Sequence, residues 1–207
     1  MLKIAVVDYD MGNLHSVCKG LEYAGAETLI THLPSELANA DAIVLPGVGA
    51  FDPAMKKLRD RDLEQPLKDI IASGKPFLGI CLGLQILFDR SDEGEESGLG
   101  IIPGIVRKFQ SEPNLTIPQM GWNQLYLSQS NCPLWSQLDT NPWVYFDHSY
   151  YVEPSRSLVG AANVTHGTQT VTAAIAQDNV MAVQFHPEKS STTGLQILSN
   201  FVKIAGG

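Results

Sequence analysis

Residues 75–88 read KPFLGICLGLQILF, and the turn in this stretch decides both the fold and the chemistry. An apolar run of strand length (76–80) meets a glycine–x–cysteine–x–glycine pentapeptide, from Gly79 to Gly83. Apolar residues at helical spacing follow. A sharp strand-to-helix turn forces its central residue into a strained conformation and brings the flanking backbones together, so side chains two residues to either side would clash. Glycines at both positions fit that need, in the form of a nucleophile elbow with cysteine in place of serine. The helix N-terminus after Cys81 favours negative charge there and so a larger thiolate fraction. The competing reading is a buried cysteine in an ordinary strand–turn–helix connection. It is adopted for Cys18, on an apolar helix face, and for Cys132, in a loop before Pro133.

Outward from the elbow, apolar β-rich runs alternate with helix-like segments through the first half. Residues 2–7, 27–31, 42–45 and 76–80 read as strands, and 13–24 and 63–73 as helices. Asn13 serves as N-cap of the first helix, and Gly25 and Gly74 end the two helices. This alternation predicts an α/β fold, a mostly parallel central sheet with helices on both faces and its chemistry at the carboxyl ends of the strands. After Arg90 the texture changes. SDEGEESGLG reads as a solvated acidic loop, residues 105–183 as a β-rich insertion, and 193–204 as a closing amphipathic helix. With no internal repeat or linker, residues 1–207 are expected to form a single domain.

The 207 residues are 44% apolar and 17% charged, the composition of a folded soluble protein able to bury a sizeable core. No run reaches the ~18 apolar residues of a membrane span. The first residues enter a strand without a signal-peptide pattern. The 14 basic against 22 acidic residues (net charge −8) supply no basic stripe, so neither nucleic acid nor an anionic membrane is an expected partner. Three irregularly spaced cysteines argue against a disulfide framework, and no Cys/His cluster has zinc spacing. A reducing cytoplasm is expected, with no metal and no cofactor.

A cysteine nucleophile needs a base, and the base needs a group to orient it. Of five histidines, His186 stands out in VQFHPEKS, after the β-like run 181–185. In an extended segment His186 and Glu188, two residues apart, share one face, and Pro187 stiffens the arrangement. A strand-end histidine beside a surface glutamate is the plainer alternative. On the oxyanion side, LPGVGAF places Gly47 and Gly49 around Val48, leaving backbone N–H groups to approach a substrate carbonyl. Gly47 and Gly49 also let the peptides between them rotate at small steric cost. Neither a P-loop lysine nor a dinucleotide fingerprint accompanies these glycines.

With VVDYDMGNLHSV (6–17), LPGVGAF, GICLGLQ, PQMGWN (118–123), YFDHSYY (145–151) and FHPEKS in view, the chain resembles the class I, triad-type glutamine amidotransferases. Within them it resembles the glutaminase subunits of imidazole glycerol phosphate synthase. GICLG and HPE are common to the superfamily, whereas MGWN and HSYY mark the subunit family. The resemblance implies a Cys81–His186–Glu188 triad that hydrolyses glutamine, with an oxyanion hole at Val48, Gly49 and Leu82. It implies glutamine binding by Gln85, Ser149 and Tyr150. Met120, Trp122, Asn123, Tyr145 and Lys189 would face the partner, a (β/α)8-barrel cyclase subunit that takes up the ammonia in histidine biosynthesis. The chain departs from the family pattern at Asp10, where glycine is usual, at Gln119, where histidine is usual, and at Asp147, in place of an apolar residue. Three other readings stay open at this level. They are a glutaminase serving another synthase, a degenerate fold kept as a binding module, and a free-standing cysteine hydrolase.

Overall fold

The computed structural model describes residues 2–207. The first half contains β1 (Lys3–Val7), α1 (Leu14–Tyr23), β2 (Glu27–Thr31), α2 (Pro34–Asn39), β3 (Ala42–Gly47), α3 (Phe51–Asp60), α4 (Glu64–Ala72), β4 (Phe77–Cys81) and the one-turn α5 (Leu82–Gln85). The second contains β5 (Arg90–Ser91), β6 (Gly104–Lys108), β7 (Gln119–Gln124), β8 (Tyr126–Leu127), β9 (Trp143–His148), β10 (Tyr150–Pro154), β11 (Gly160–His166), β12 (Gln169–Gln177), β13 (Val180–Val183) and α6 (Ser191–Gly206). Asn13 caps α1 as expected, its side chain accepting from the Ser16 N–H at 3.4 Å. Gly25, at φ 96°, supplies the left-handed residue that ends this helix.

One 11-stranded sheet runs in the order β2-β1-β3-β4-β13-β12-β10-β6-β5, with β11 and β8 branching from β12. From β2 to β13 all pairings are parallel; beyond β13 they turn antiparallel through β12, β10 and β6. The β-rich second half is therefore not an insertion set beside an α/β unit. Most of its strands extend the central sheet, and β13 returns to lie parallel against β4. Its sequence VMAV is buried throughout, as a strand covered on both faces must be. Only β7 and β9 stand apart, as a two-stranded antiparallel ribbon.

Alternate strand residues feed two cores. Ile4, Val6, Ala42, Val44, Leu78 and Ile80 pack on one face beneath α1 and α6, while Ala5, Val7, Ile43, Leu45 and Phe77 meet α2, α3 and α4 on the other. The sequence reading passes over α2 and α3. With 6 residues, α2 is too short for periodicity to register. Among the described residues, no helix is long and apolar enough to cross a membrane.

Candidate active site

Three adjacent strands deliver the candidate groups at their carboxyl ends: Gly47 on β3, Cys81 on β4, and Gln184 and His186 just beyond β13. The register pairs Gly47 with Cys81 and Ile80 with Val183. Cys81 sits at φ 55°, ψ −107°, a conformation that a non-glycine residue holds only when its surroundings impose it. They do. A Cβ on Gly79 would stand 2.7 Å from the Gly83 carbonyl oxygen, and one on Gly83 would collide with the Leu45 carbonyl oxygen. The thiol is buried, with the residue 6% exposed.

His186 Nδ1 lies 2.8 Å from Glu188 Oε1, with both side chains buried. The expected route to this pairing was an extended segment, and here the structure differs. Residues Pro187–Lys189 form a 3-10 turn, and it is this turn that swings Glu188 back onto the imidazole. The turn is pinned on both sides. Ser190 Oγ donates to His186 O at 2.6 Å and accepts from the Tyr145 N–H at 2.9 Å, while His186 N–H donates to Tyr145 O at 2.9 Å. Burial alone would depress the imidazole pKa. The neighbouring Cys81, and then the hydrogen-bonded Glu188, outweigh it and hold His186 well above its ordinary value. His186 is therefore held as imidazolium, between the Cys81 sulfur and the Glu188 carboxylate.

Gln184 was not anticipated. It is wholly buried, and its Nε2 points at Cys81 Sγ from 3.6 Å. Its Oε1 accepts from Gln85 Nε2 at 3.1 Å, and Gln85 also donates to Tyr150 O at 3.0 Å. Its place two residues before His186 hinted at a shared face in an extended reading of the sequence, but the thiol it meets lies far back along the chain.

Gln85, Ser149 and Tyr150 line a cavity of about 270 Å³ that also opens onto Cys81, His186, Val48, Gly49 and Leu82. The structure thus brings the triad, glutamine-site and oxyanion candidates to one place. It adds Glu93, from the stretch read as a solvated acidic loop. That loop is folded against α3: Glu93 Oε2 accepts the Phe51 N–H at 2.8 Å, and the Asp52 carboxylate accepts the N–H groups of Glu95 and Glu96, each at 3.0 Å. Buried His148 borders the cavity, its Nδ1 donating to Tyr150 O at 2.8 Å and its Nε2 lying 2.9 Å from the Gln119 side-chain amide. Burial lowers its pKa to about 4, so this ring stays neutral and leaves His186 as the charged imidazole of the cavity.

The oxyanion side is only half assembled. Leu82 opens α5, where its N–H has no acceptor within the helix. The Val48 N–H, expected to be free, donates instead to Met11 O at 3.2 Å and is turned away from its expected task.

Of the surface candidates, Met120 is 64% and Trp122 50% exposed, which excludes a core role for the tryptophan. Trp122 meets Tyr145 edge-on at 6.2 Å, and Lys189 Nζ stands 5.7 Å from the Tyr145 ring, so the three form one cluster behind the His186 turn. Asn123 points elsewhere. Its Nδ2 donates to Thr165 O at 2.8 Å, tying β7 to β11.

A strained cysteine held against a buried His–Glu pair, at the carboxyl edge of a parallel sheet, is the geometry of a thiol-dependent acyl transferase or hydrolase. The chain belongs to the class-I glutamine amidotransferases, whose family model matches residues 5–205. Curated relatives narrow the place within that class. The chain is 71% identical over 202 residues to the imidazole glycerol phosphate synthase subunit HisH of Gloeothece citriformis, covering 98% of this chain and 96% of the relative. It is likewise 71% identical over 199 residues to the subunit of the same name from a Nostoc species, covering 96% and 94%. Solved structures at lower identity share the fold. PurLQS from Thermotoga maritima superposes with a TM-score of 0.76 at 19% identity, covering 98% of each chain. The glutaminase domain of Trypanosoma brucei CTPS with bound acivicin gives 0.71 at 17%, covering 100% of this chain and 94% of that one.

Proposed function

We propose that this chain is the glutaminase component of an imidazole glycerol phosphate synthase, acting as one amidotransferase domain in the cytoplasm beside a (β/α)8-barrel cyclase subunit. The observation that carries the reading is the buried His186–Glu188 pair at 2.8 Å, set beside a cysteine in a strained elbow. The Cys81 thiolate, facing the Gln184 amide, attacks the side-chain carbonyl carbon of glutamine. The resulting oxyanion is received by the Leu82 N–H. Its second donor is the Val48 N–H, once the peptide joining Gly47 to Val48 has rotated away from Met11. His186 gives its proton to the departing nitrogen, releasing ammonia and leaving a thioester on Cys81. It then takes a proton from water, which attacks the thioester and frees glutamate. Glu188 holds the imidazole in place throughout.

The Glu93 carboxylate is suited to the α-ammonium group of glutamine, and Gln85, Ser149 and Tyr150 shape the rest of the cavity. The cluster of exposed Trp122, half-buried Tyr145 and exposed Lys189, with exposed Met120 on the same strand as Trp122, is the cyclase-facing surface, and Tyr145 and Ser190 connect it to the His186 turn. Cys81→Ala in the complex is expected to abolish glutamine-dependent synthesis of imidazole glycerol phosphate while synthesis from ammonium salts continues. Equal loss of both reactions would refute this division of labour.

A further inference from the structure

Residues 9–11 and 47–49 lie one against the other in step. The Tyr9 hydroxyl is packed so closely on Gly47 that a side chain there would collide with it. Met11 O accepts the Val48 N–H at 3.2 Å. A Cβ on Gly49 would stand 2.9 Å from Met11 Cε. Of these three contacts one is incomplete. Tyr9 is 0% exposed, and its hydroxyl has no hydrogen-bond partner among the described residues. A buried donor left idle is rare and destabilises the state that leaves it so.

We propose that Tyr9 is a positioning residue for the oxyanion hole, its hydroxyl donating to the Gly47 carbonyl when the Gly47–Val48 peptide rotates. A trans peptide directs its N–H and C=O to opposite sides. With the Val48 N–H aimed at Met11, the Gly47 carbonyl is aimed away from the 9–11 segment. Rotation that carries the N–H toward the cavity turns the carbonyl toward the 9–11 segment, whose unpartnered Tyr9 hydroxyl is packed on Gly47. The resting arrangement then has Met11 O–Val48 N–H satisfied and Tyr9 idle, while the rotated one has Tyr9 satisfied in return for the Met11 bond. Only such differential contacts can shift a two-state equilibrium. Burial, helped by the Cys81 charge, pushes the phenol pKa up, so the hydroxyl keeps the proton it must donate. Gly47 is thereby explained twice, by the absence of room for a Cβ and by its freedom to rotate.

This inference rests on the glutaminase reading, and Tyr9→Phe in the complex with the cyclase subunit tests the two separately. Glutamine turnover is measured with and without the partner, and thermal midpoints are recorded for both chains. The ratio of partner-activated to free-chain kcat is expected to fall about five- to tenfold, the usual weight of one hydrogen bond, with KM for glutamine held. The thermal midpoint should stay level or rise, because the variant removes an unpaired buried hydroxyl. A residue that merely filled space would lower both rates together and leave the ratio unchanged, and an unchanged ratio overturns the role given to Tyr9. A wild-type complex that hydrolyses no glutamine would overturn the functional reading beneath it.

Discussion

Two turns stand side by side at the edge of the sheet, one after β4 and one after β3, and they are built to opposite specifications. The elbow at Cys81 is closed in by backbone: Gly79 faces the Gly83 carbonyl, Gly83 faces that of Leu45, and Gln184 meets the thiol. The turn after β3 is closed in at Gly47 but exposed at Val48 and Gly49. Val48 is 41% exposed, Gly49 holds φ 107°, and the N–H that matters is engaged elsewhere. On the proposed mechanism the nucleophile is preset, whereas the oxyanion site is set by rotation of one peptide. An enzyme assembled this way holds its nucleophile in place without wasting glutamine, provided the second turn is set only when a partner arrives.

The largest effect expected from this contrast is on the closed turn. Gly83→Ala places a Cβ into the Leu45 carbonyl, where no flexible side chain can give way. Stability should fall by about 3 kcal/mol or more, read from the urea midpoint, and glutamine turnover should collapse with and without the partner. A variant that is as stable and active as the parent would show that the elbow is not set by packing.

The turn after β3 should respond differently. Gly47→Ala presses a Cβ toward the Tyr9 hydroxyl and to 2.9 Å from Leu82 Cβ, so it hinders rotation of the following peptide. Complex formation is expected to survive, while the stimulation of glutamine turnover by the partner drops by about 10²-fold, the weight of one oxyanion donor. Undiminished stimulation would mean that the peptide does not move.

The same contrast explains what could be read in advance. The elbow was legible because its glycines answer a local steric demand, and residue types alone announce it. The His186–Glu188 pairing was also legible, although the geometry assumed for it was wrong, since a 3-10 turn and a two-residue strand spacing place the same two side chains together. Gln184, Glu93 and Tyr9 were missed for one shared reason. Each acquires its meaning from a partner far along the chain, Gln184 from Cys81, Glu93 from the start of α3, and Tyr9 from Gly47. The acidic loop misled most, because charge density reads as solvation until the N–H groups it serves are known. The second half misled for a related reason. Short strands do not declare which sheet they join, and β13 finds its place through burial on both faces.

The smallest expected effect concerns Asp10, where the family pattern has glycine. Asp10 holds φ 64°, a conformation glycine adopts more easily, so its side chain needs a compensating role. Its carboxylate reaches Arg61 Nη2 at 2.7 Å and Lys57 Nζ at 3.3 Å, and Arg61 first, then Lys57, draws its pKa below the usual range. Both cations stand at or just beyond the end of α3, and Arg61 Nη1 also donates to Asp8 O at 3.4 Å. The segment that presents Met11 O to Val48 is thus braced from outside, in the resting arrangement. Asp10→Gly removes the brace and should raise glutamine turnover by the free chain about two- to fivefold, a modest change because the pairs are solvated. Raising ionic strength from about 0.05 M to about 0.5 M should raise the wild-type rate in the same sense by screening those pairs, and should leave the variant unmoved. A wild-type rate indifferent to salt, or a variant slower than its parent, would show that Asp10 braces the loop without bearing on the switch.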